Sequence, residues 1–342
     1  MLRYIFILLC LSTTSSEAQS VKIIQSTYLF EKAPFAACHA STLVDLGKGK
    51  IMAAWFGGKQ EGNKGVTIWT AVKNRNKWTA PKAVADGIVN DTTRFACWNP
   101  VLFKSSNGTL TLHYKIGPNP REWWAAYKTS ADDGRTWSEA VKLPDGFLGP
   151  IKNKPVQLDR NTILYPSSTE SLDEKVWSIH LEKSDNRNNN WKKIKINCDT
   201  FGVIQPSILS YSNGKLQLLC RSRQNVIVES WSADGGKNWS KLTATGLPNP
   251  NSGSDAVTLK DGRQLLIYNP LTAGKNWWEG RSILKLAISK DGKTWKDIYT
   301  LENHLKGEYS YPAIIQDKNG HVHLSYTAER KKIKYVMLDL IN

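Results

Sequence analysis

Apolar and polar side chains alternate in short runs along most of this chain. Lys215-Leu216-Gln217-Leu218-Leu219 and His321-Val322-His323-Leu324-Ser325-Tyr326 are examples, built from residues that suit a pleated, half-buried surface. Long stretches with the spacing of an amphipathic helix are missing, so the pattern predicts an all-β chain. One continuous apolar run stands apart: Tyr4 to Leu11, behind Arg3 and ahead of Ser16-Glu17-Ala18. That layout predicts an export signal over 1–18, cleaved after Ala18, followed by one folded domain over 19–342. The run is too short to span a bilayer, so a soluble exported protein, periplasmic or extracellular, is expected, with no membrane association.

Between the strand-like runs a phrase recurs. Ser130-Ala131-Asp132-Asp133-Gly134-Arg135-Thr136-Trp137 and Ser232-Ala233-Asp234-Gly235-Gly236-Lys237-Asn238-Trp239 share the form Ser-x-Asp-x-Gly-x-x-Trp. Ser289 to Trp295 is one residue shorter, Ser184 to Trp191 keeps the two ends, and a weaker copy ends at Lys77-Trp78. Asp and Gly supply the chemistry of a hairpin turn, and Trp is suited to plug the space between neighbouring sheets. The copies recur roughly every fifty residues, the length of one four-stranded blade. Five such turns and a closing segment near the C-terminus predict a six-bladed β-propeller around a central channel.

Charge narrows the range of partners. The formal net charge is +16, with lysines spread along the chain. Such a surface favours anions. Nucleic acid is disfavoured, because an export signal is present and no nucleic-acid motif is. An anionic oligosaccharide fits better, and a monomer is expected. Cys38, Cys97, Cys198 and Cys220 match no metal spacing and read as small core residues. His113, His180, His304, His321 and His323 show no paired ligand spacing, so neither metal nor cofactor is expected.

The recurring phrase is an Asp box, and over essentially the whole mature chain the sequence resembles the sialidase superfamily. That resemblance implies three arginines on the substrate carboxylate, a tyrosine nucleophile paired with a glutamate, and an aspartate acid/base. Arg281, ahead of the box at Ser289, matches the third arginine; Arg221 or Arg223 matches the second. A guanidinium offers a planar fork that pairs bidentately with a carboxylate. Tyr311, in Tyr311-Pro312-Ala313-Ile314-Ile315, falls on the nucleophile. The pattern also breaks. His39 stands where the first arginine belongs, Gln205 replaces the glutamate ahead of Pro206, and Glu61 lies in the loop of the aspartate. The chain therefore reads as a divergent member without the full sialidase set.

Without a glutamate partner Tyr311 is a poor glycosidase nucleophile, since an unperturbed phenol ionises near pH 10. The residues instead suit β-elimination on a uronic acid, the expected substrate being a non-reducing-end uronate of an anionic glycan such as ulvan. Arginines would neutralise the carboxylate and acidify the C5 proton; Tyr311 or His39 would remove it and the other would protonate the group leaving C4. The enzyme is then a lyase or a dehydratase. An exo-sialidase with Glu61 as acid/base, or a non-catalytic glycan-binding propeller, are the other readings. Around the channel mouth, Lys152 and Lys154 are candidates for anion binding, Asn251 and Asp255 for hydroxyls, Gln205 for substrate contact and Trp98 for stacking on a sugar ring.

Overall fold

The computed structural model describes residues 20–276 and 278–341. The segment 1–18 expected to be an export signal lies outside the described residues. Within them every regular element is a strand, and the strands form six antiparallel sheets. The blades follow one another along the sequence, each starting with an inner strand: Ala37–Gly47, Ala96–Lys104, Val156–Asp159, Val203–Ser210, Asp255–Thr258 and Tyr309–Gln316. Closure of the ring differs in detail from the sequence expectation. The last blade takes its outer strand from the N-terminal segment Ser20–Tyr28, which pairs with Lys332–Ile341, so both ends of the chain lock one sheet.

The core lies between blades. Met52, Phe56 and Ile68 of the first blade pack against Leu102, Leu112 and Tyr114 of the second. Equivalent layers join the other sheets, among them Leu265 and Leu286 of the fifth blade with Leu324 and Tyr326 of the sixth. The Asp boxes brace these layers from the turns. In the second blade Asp132 Oδ1 accepts the Thr136 N–H at 2.9 Å, and Ser130 Oγ accepts the Gly134 N–H at 2.8 Å. In the fourth blade Asp234 and Ser232 do the same for Asn238 and Gly236. The box glycine is required: at Gly134, with φ of +80°, an added Cβ would stand 2.2 Å from the Met52 methyl of the preceding blade. The degraded copy keeps this logic, with Asp185 Oδ1 accepting the Asn189 N–H at 2.9 Å. The weak copy does not: Lys77–Trp78 follows a plain hairpin turn.

Four inner strands carry the same irregularity. The register slips after His39, Trp98, Ile204 and Ser310, and the residue inside each slip is left-handed: Ala40, Asn99, Gln205 and Tyr311, with φ of 54°, 34°, 56° and 52°. Proline follows three of them, Pro100, Pro206 and Pro312, at positions relieved of ladder donation. Left-handed backbone at residues other than glycine is costly and gathers at functional positions. These bulges face one another around the end of the channel.

Candidate active site

Three arginines meet a tyrosine there. Arg221 closes the second strand of the fourth blade, Leu216–Ser222, and its buried guanidinium donates from Nη1 to Tyr311 Oη at 2.7 Å and from Nε to Asn251 Oδ1 at 2.9 Å. Arg281 precedes the third strand of the fifth blade, donating from Nη1 to Glu308 Oε1 at 3.1 Å and from Nη2 to the Asn251 carbonyl at 3.3 Å. The third is Arg330, from the turn joining Val322–Ala328 to Lys332–Ile341. Its Nε donates to Glu308 Oε2 at 2.7 Å, and its Nη1 pairs with Glu61. A cavity of about 550 Å³ is lined by all three arginines with Tyr311, Glu61, Asn251 and Trp177.

Glu308 is the brace of this cluster. Burial works against its ionisation, but hydrogen bonds and charge from Arg330, then the charge of Arg281, outweigh that and hold the carboxyl below its ordinary range. A carboxylate kept ionised between two guanidinium groups fixes their direction, while Arg221 donates to the neutral groups Asn251, Gln205 and Tyr311. Tyr311 Oη accepts from Arg221 and, at 3.5 Å, from Gln205 Nε2. The side chain at 205 is thus held at the tyrosine, and Gln205 Oε1 accepts from Arg221 Nη1 at 3.3 Å.

Several expected roles move. His39 packs its ring against Tyr311, centroids 4.1 Å apart, but lines a smaller cavity of about 270 Å³ with Phe56, Gln60, Glu61 and Arg330 instead of the arginine cavity. Burial first, and then the charges of Arg330, Arg281, Lys152 and Arg221, push its pKa well below the ordinary histidine value. An imidazole so depressed is a weak base, which is contrary to the expected tuning near working pH. Arg223 does not share the face of Arg221: the strand ends between them, and Arg223 is exposed with its guanidinium 4.3 Å from the Trp177 ring. Trp98 is buried in the layer between the first two blades, its Nε1 donating to the Gly117 carbonyl at 2.9 Å, so its ring is unavailable to a sugar.

The two lysines and Asp255 belong to the frame. Lys152 Nζ is buried and donates to Asn153 Oδ1, the Ser254 carbonyl and the Pro312 carbonyl at 2.8, 3.0 and 2.7 Å. Burial pushes its pKa down to about 7. Lys154 Nζ pairs with Asp255 at 2.8 Å, and Asp255 also accepts from Ser207 Oγ at 3.1 Å and the Ile314 N–H at 3.0 Å. These groups tie the third to sixth blades together across the channel. The four cysteines are unpaired, and no cluster of three or more His, Cys, Asp or Glu among the described residues could hold a metal ion.

Arg330 and Glu308 escaped the sequence reading. Arg330 sits in Glu329-Arg330-Lys331-Lys332, which looks like a solvated charged turn. No turn residue marked the place in the sequence: Glu329 and Arg330 both have positive φ, 54° and 51°, in a short hairpin that lacks glycine or asparagine.

The chain is a six-bladed propeller with Asp-box turns and an arginine-lined cavity at one end of its channel, and its fold resembles that of sialidases. The chain belongs to the family described as BNR repeat-like domain, whose model matches residues 49–324. No curated protein matches it. Among solved structures, a Dyadobacter fermentans protein of unknown function is similar at TM-score 0.75 and 16% identity, over 94% of this chain and 100% of that one. The intramolecular trans-sialidase from Ruminococcus gnavus is similar at TM-score 0.71 and 15% identity, over 92% and 96% of the two chains. The NanB sialidase from Streptococcus pneumoniae gives TM-score 0.70 and 13% identity, over 92% and 70%. At these identities the likeness is one of fold.

His39 also carries a stability consequence. Neither ring nitrogen has a hydrogen-bond partner among the described residues, although the residue is only 2% exposed. An unsatisfied buried polar group costs about 1–3 kcal/mol. His39→Leu is therefore expected to raise stability by about 1 kcal/mol or more. It should also flatten the acid limb: the folded pKa is depressed, so below about pH 6.5 the unfolded chain takes up a proton that the folded chain refuses. Denaturant midpoints measured from pH 7 to pH 5 check both; a variant less stable than the parent at every pH would contradict this account.

Proposed function

We propose that this protein acts on an acidic sugar of an anionic oligosaccharide, outside the cytoplasm, by β-elimination at a uronate. The observation that carries the reading is the convergence of Arg221, Arg281 and Arg330 on one cavity with Tyr311, where the side chain beside the phenol is Gln205 and not a carboxylate. In this reading the guanidinium groups take the substrate carboxylate and stabilise the charge that spreads onto it as the C5–H bond breaks. Tyr311 Oη, with Arg221 Nη1 opposite it, accepts the C5 proton while its own hydroxyl proton passes to the oxygen on C4. The C–H electron pair becomes the C4–C5 double bond, the C4–O bond breaks with its electron pair on the departing, protonated oxygen, and the tyrosine ends as the neutral phenol it began as. A departing sugar makes the enzyme a lyase; a departing hydroxyl makes it a dehydratase. His39 supports the Tyr311 ring in this scheme and transfers no proton.

A retaining glycoside hydrolase is the second reading, favoured by Glu61 lining the same cavity as Tyr311. The deciding experiment follows the ultraviolet absorbance of unsaturated product during incubation with ulvan, alginate and glycosaminoglycan fragments, alongside release of sialic acid from a sialoside. Release without any rise in absorbance would overturn elimination. Gln205→Glu sharpens the contrast. A carboxylate there would draw Arg221 away from Tyr311 and is expected to slow elimination about tenfold, whereas a hydrolase would gain the partner its nucleophile lacks and speed up.

A further inference from the structure

Trp177 stands between two cavities. One is the arginine cavity of about 550 Å³; the other, about 530 Å³, runs along the third and fourth blades and is lined by Trp177, Phe201, Asn197, Thr200 and Gln224 among others. The partition is held firmly: the Arg223 and Arg221 guanidinium carbons lie 4.3 and 5.5 Å from the Trp177 ring. Arg221 also reaches Tyr311 Oη at 2.7 Å, so the second cavity begins one side chain away from the reacting group.

We infer that this second cavity is a subsite for an uncharged sugar residue joined to the acidic one, an inference that rests on the reading above. Its lining is of the mixed kind that holds a sugar: the half-buried aromatic rings of Trp177 and Phe201 for C–H surfaces, and exposed Asn197, Thr200 and Gln224 for hydroxyls. Its charged lining residues, Lys175 and Asp199, are opposite in sign, so the cavity has no excess charge with which to select a second anion. The acidic sugar is drawn to the three arginines and its neutral neighbour to the groove beyond Trp177. The substrate is then at least a disaccharide, oriented by the contrast between the two cavities.

Titration calorimetry of the mature protein with methyl glucuronoside, and with a disaccharide of a neutral hexose linked to the same glucuronate, tests this. The disaccharide is expected to bind about tenfold more tightly. Gln224→Ala and Asn197→Ala, both at exposed positions, should each remove a large part of that gain and leave methyl glucuronoside affinity unchanged; Phe201→Ala should do so more strongly. Equal affinity of the parent protein for the two probes, or variants that weaken both alike, would overturn the subsite while leaving the arginine cavity intact. Failure of the parent to bind methyl glucuronoside would instead remove the reading on which the subsite rests.

Discussion

Tyr311→Phe is expected to lower turnover on a uronate oligosaccharide by about 10²–10⁴-fold, the range typical of losing a positioned acid/base group. The substitution removes only the oxygen that Arg221 Nη1 meets at 2.7 Å; the ring keeps its place against His39, 4.1 Å between centroids. In the elimination reading, binding of the substrate should change little, because two of the three guanidinium groups that would take its carboxylate do not depend on the phenol. Arg281 and Arg330 remain fixed by Glu308. Initial rates from product absorbance, with substrate affinity measured separately, give the split. Turnover within about threefold of the parent would mean that another group moves the proton.

Asp255→Ala is expected to be the most damaging change to stability, at about 3–5 kcal/mol. The carboxylate is buried and accepts from Lys154, Ser207 and the Ile314 backbone, so one side chain joins the third, fourth, fifth and sixth blades. Its removal strands a largely buried ammonium and a buried N–H at the channel axis. Asp255→Asn should recover part of the loss, since an amide oxygen can still accept the Ile314 N–H but cannot neutralise Lys154. Urea unfolding of the three proteins orders them; a loss below about 1 kcal/mol for the alanine variant would show that the axis tolerates water.

The same residue shows where reading along the chain reaches its limit. Asp255 and Lys154 lie about a hundred residues apart in sequence, and each taken alone was a plausible sugar ligand at a channel mouth. Only the closure of the ring brings them within 2.8 Å and turns two candidate ligands into one internal pair. Trp98 misleads for a related reason: the bulge at Asn99 sends its ring into the layer between blades. His39 and Tyr311 were both singled out in the sequence, and the structure does bring their rings together, yet burial among arginines removes the basicity that made the histidine attractive.

The sequence by itself determined the scaffold. Asp boxes are local devices whose hydrogen bonds run within five or six residues, and alternation along a strand is local too, so strands, turns and the number of blades can be read in one dimension. Arg281 was singled out by its offset from the Asp box at Ser289, and Arg221 or Arg223 and Tyr311 by the resemblance of their segments to the family pattern. The tertiary structure alone decided how the ring closes, with Ser20–Tyr28 beside Lys332–Ile341, and which third arginine lines the cavity with Arg221 and Arg281. Arg330 comes from a charged hairpin turn and is held by Glu61, 269 residues away in sequence, and by Glu308. Partnership between charges is a property of distance in space, and in a closed ring the first and last blades are neighbours.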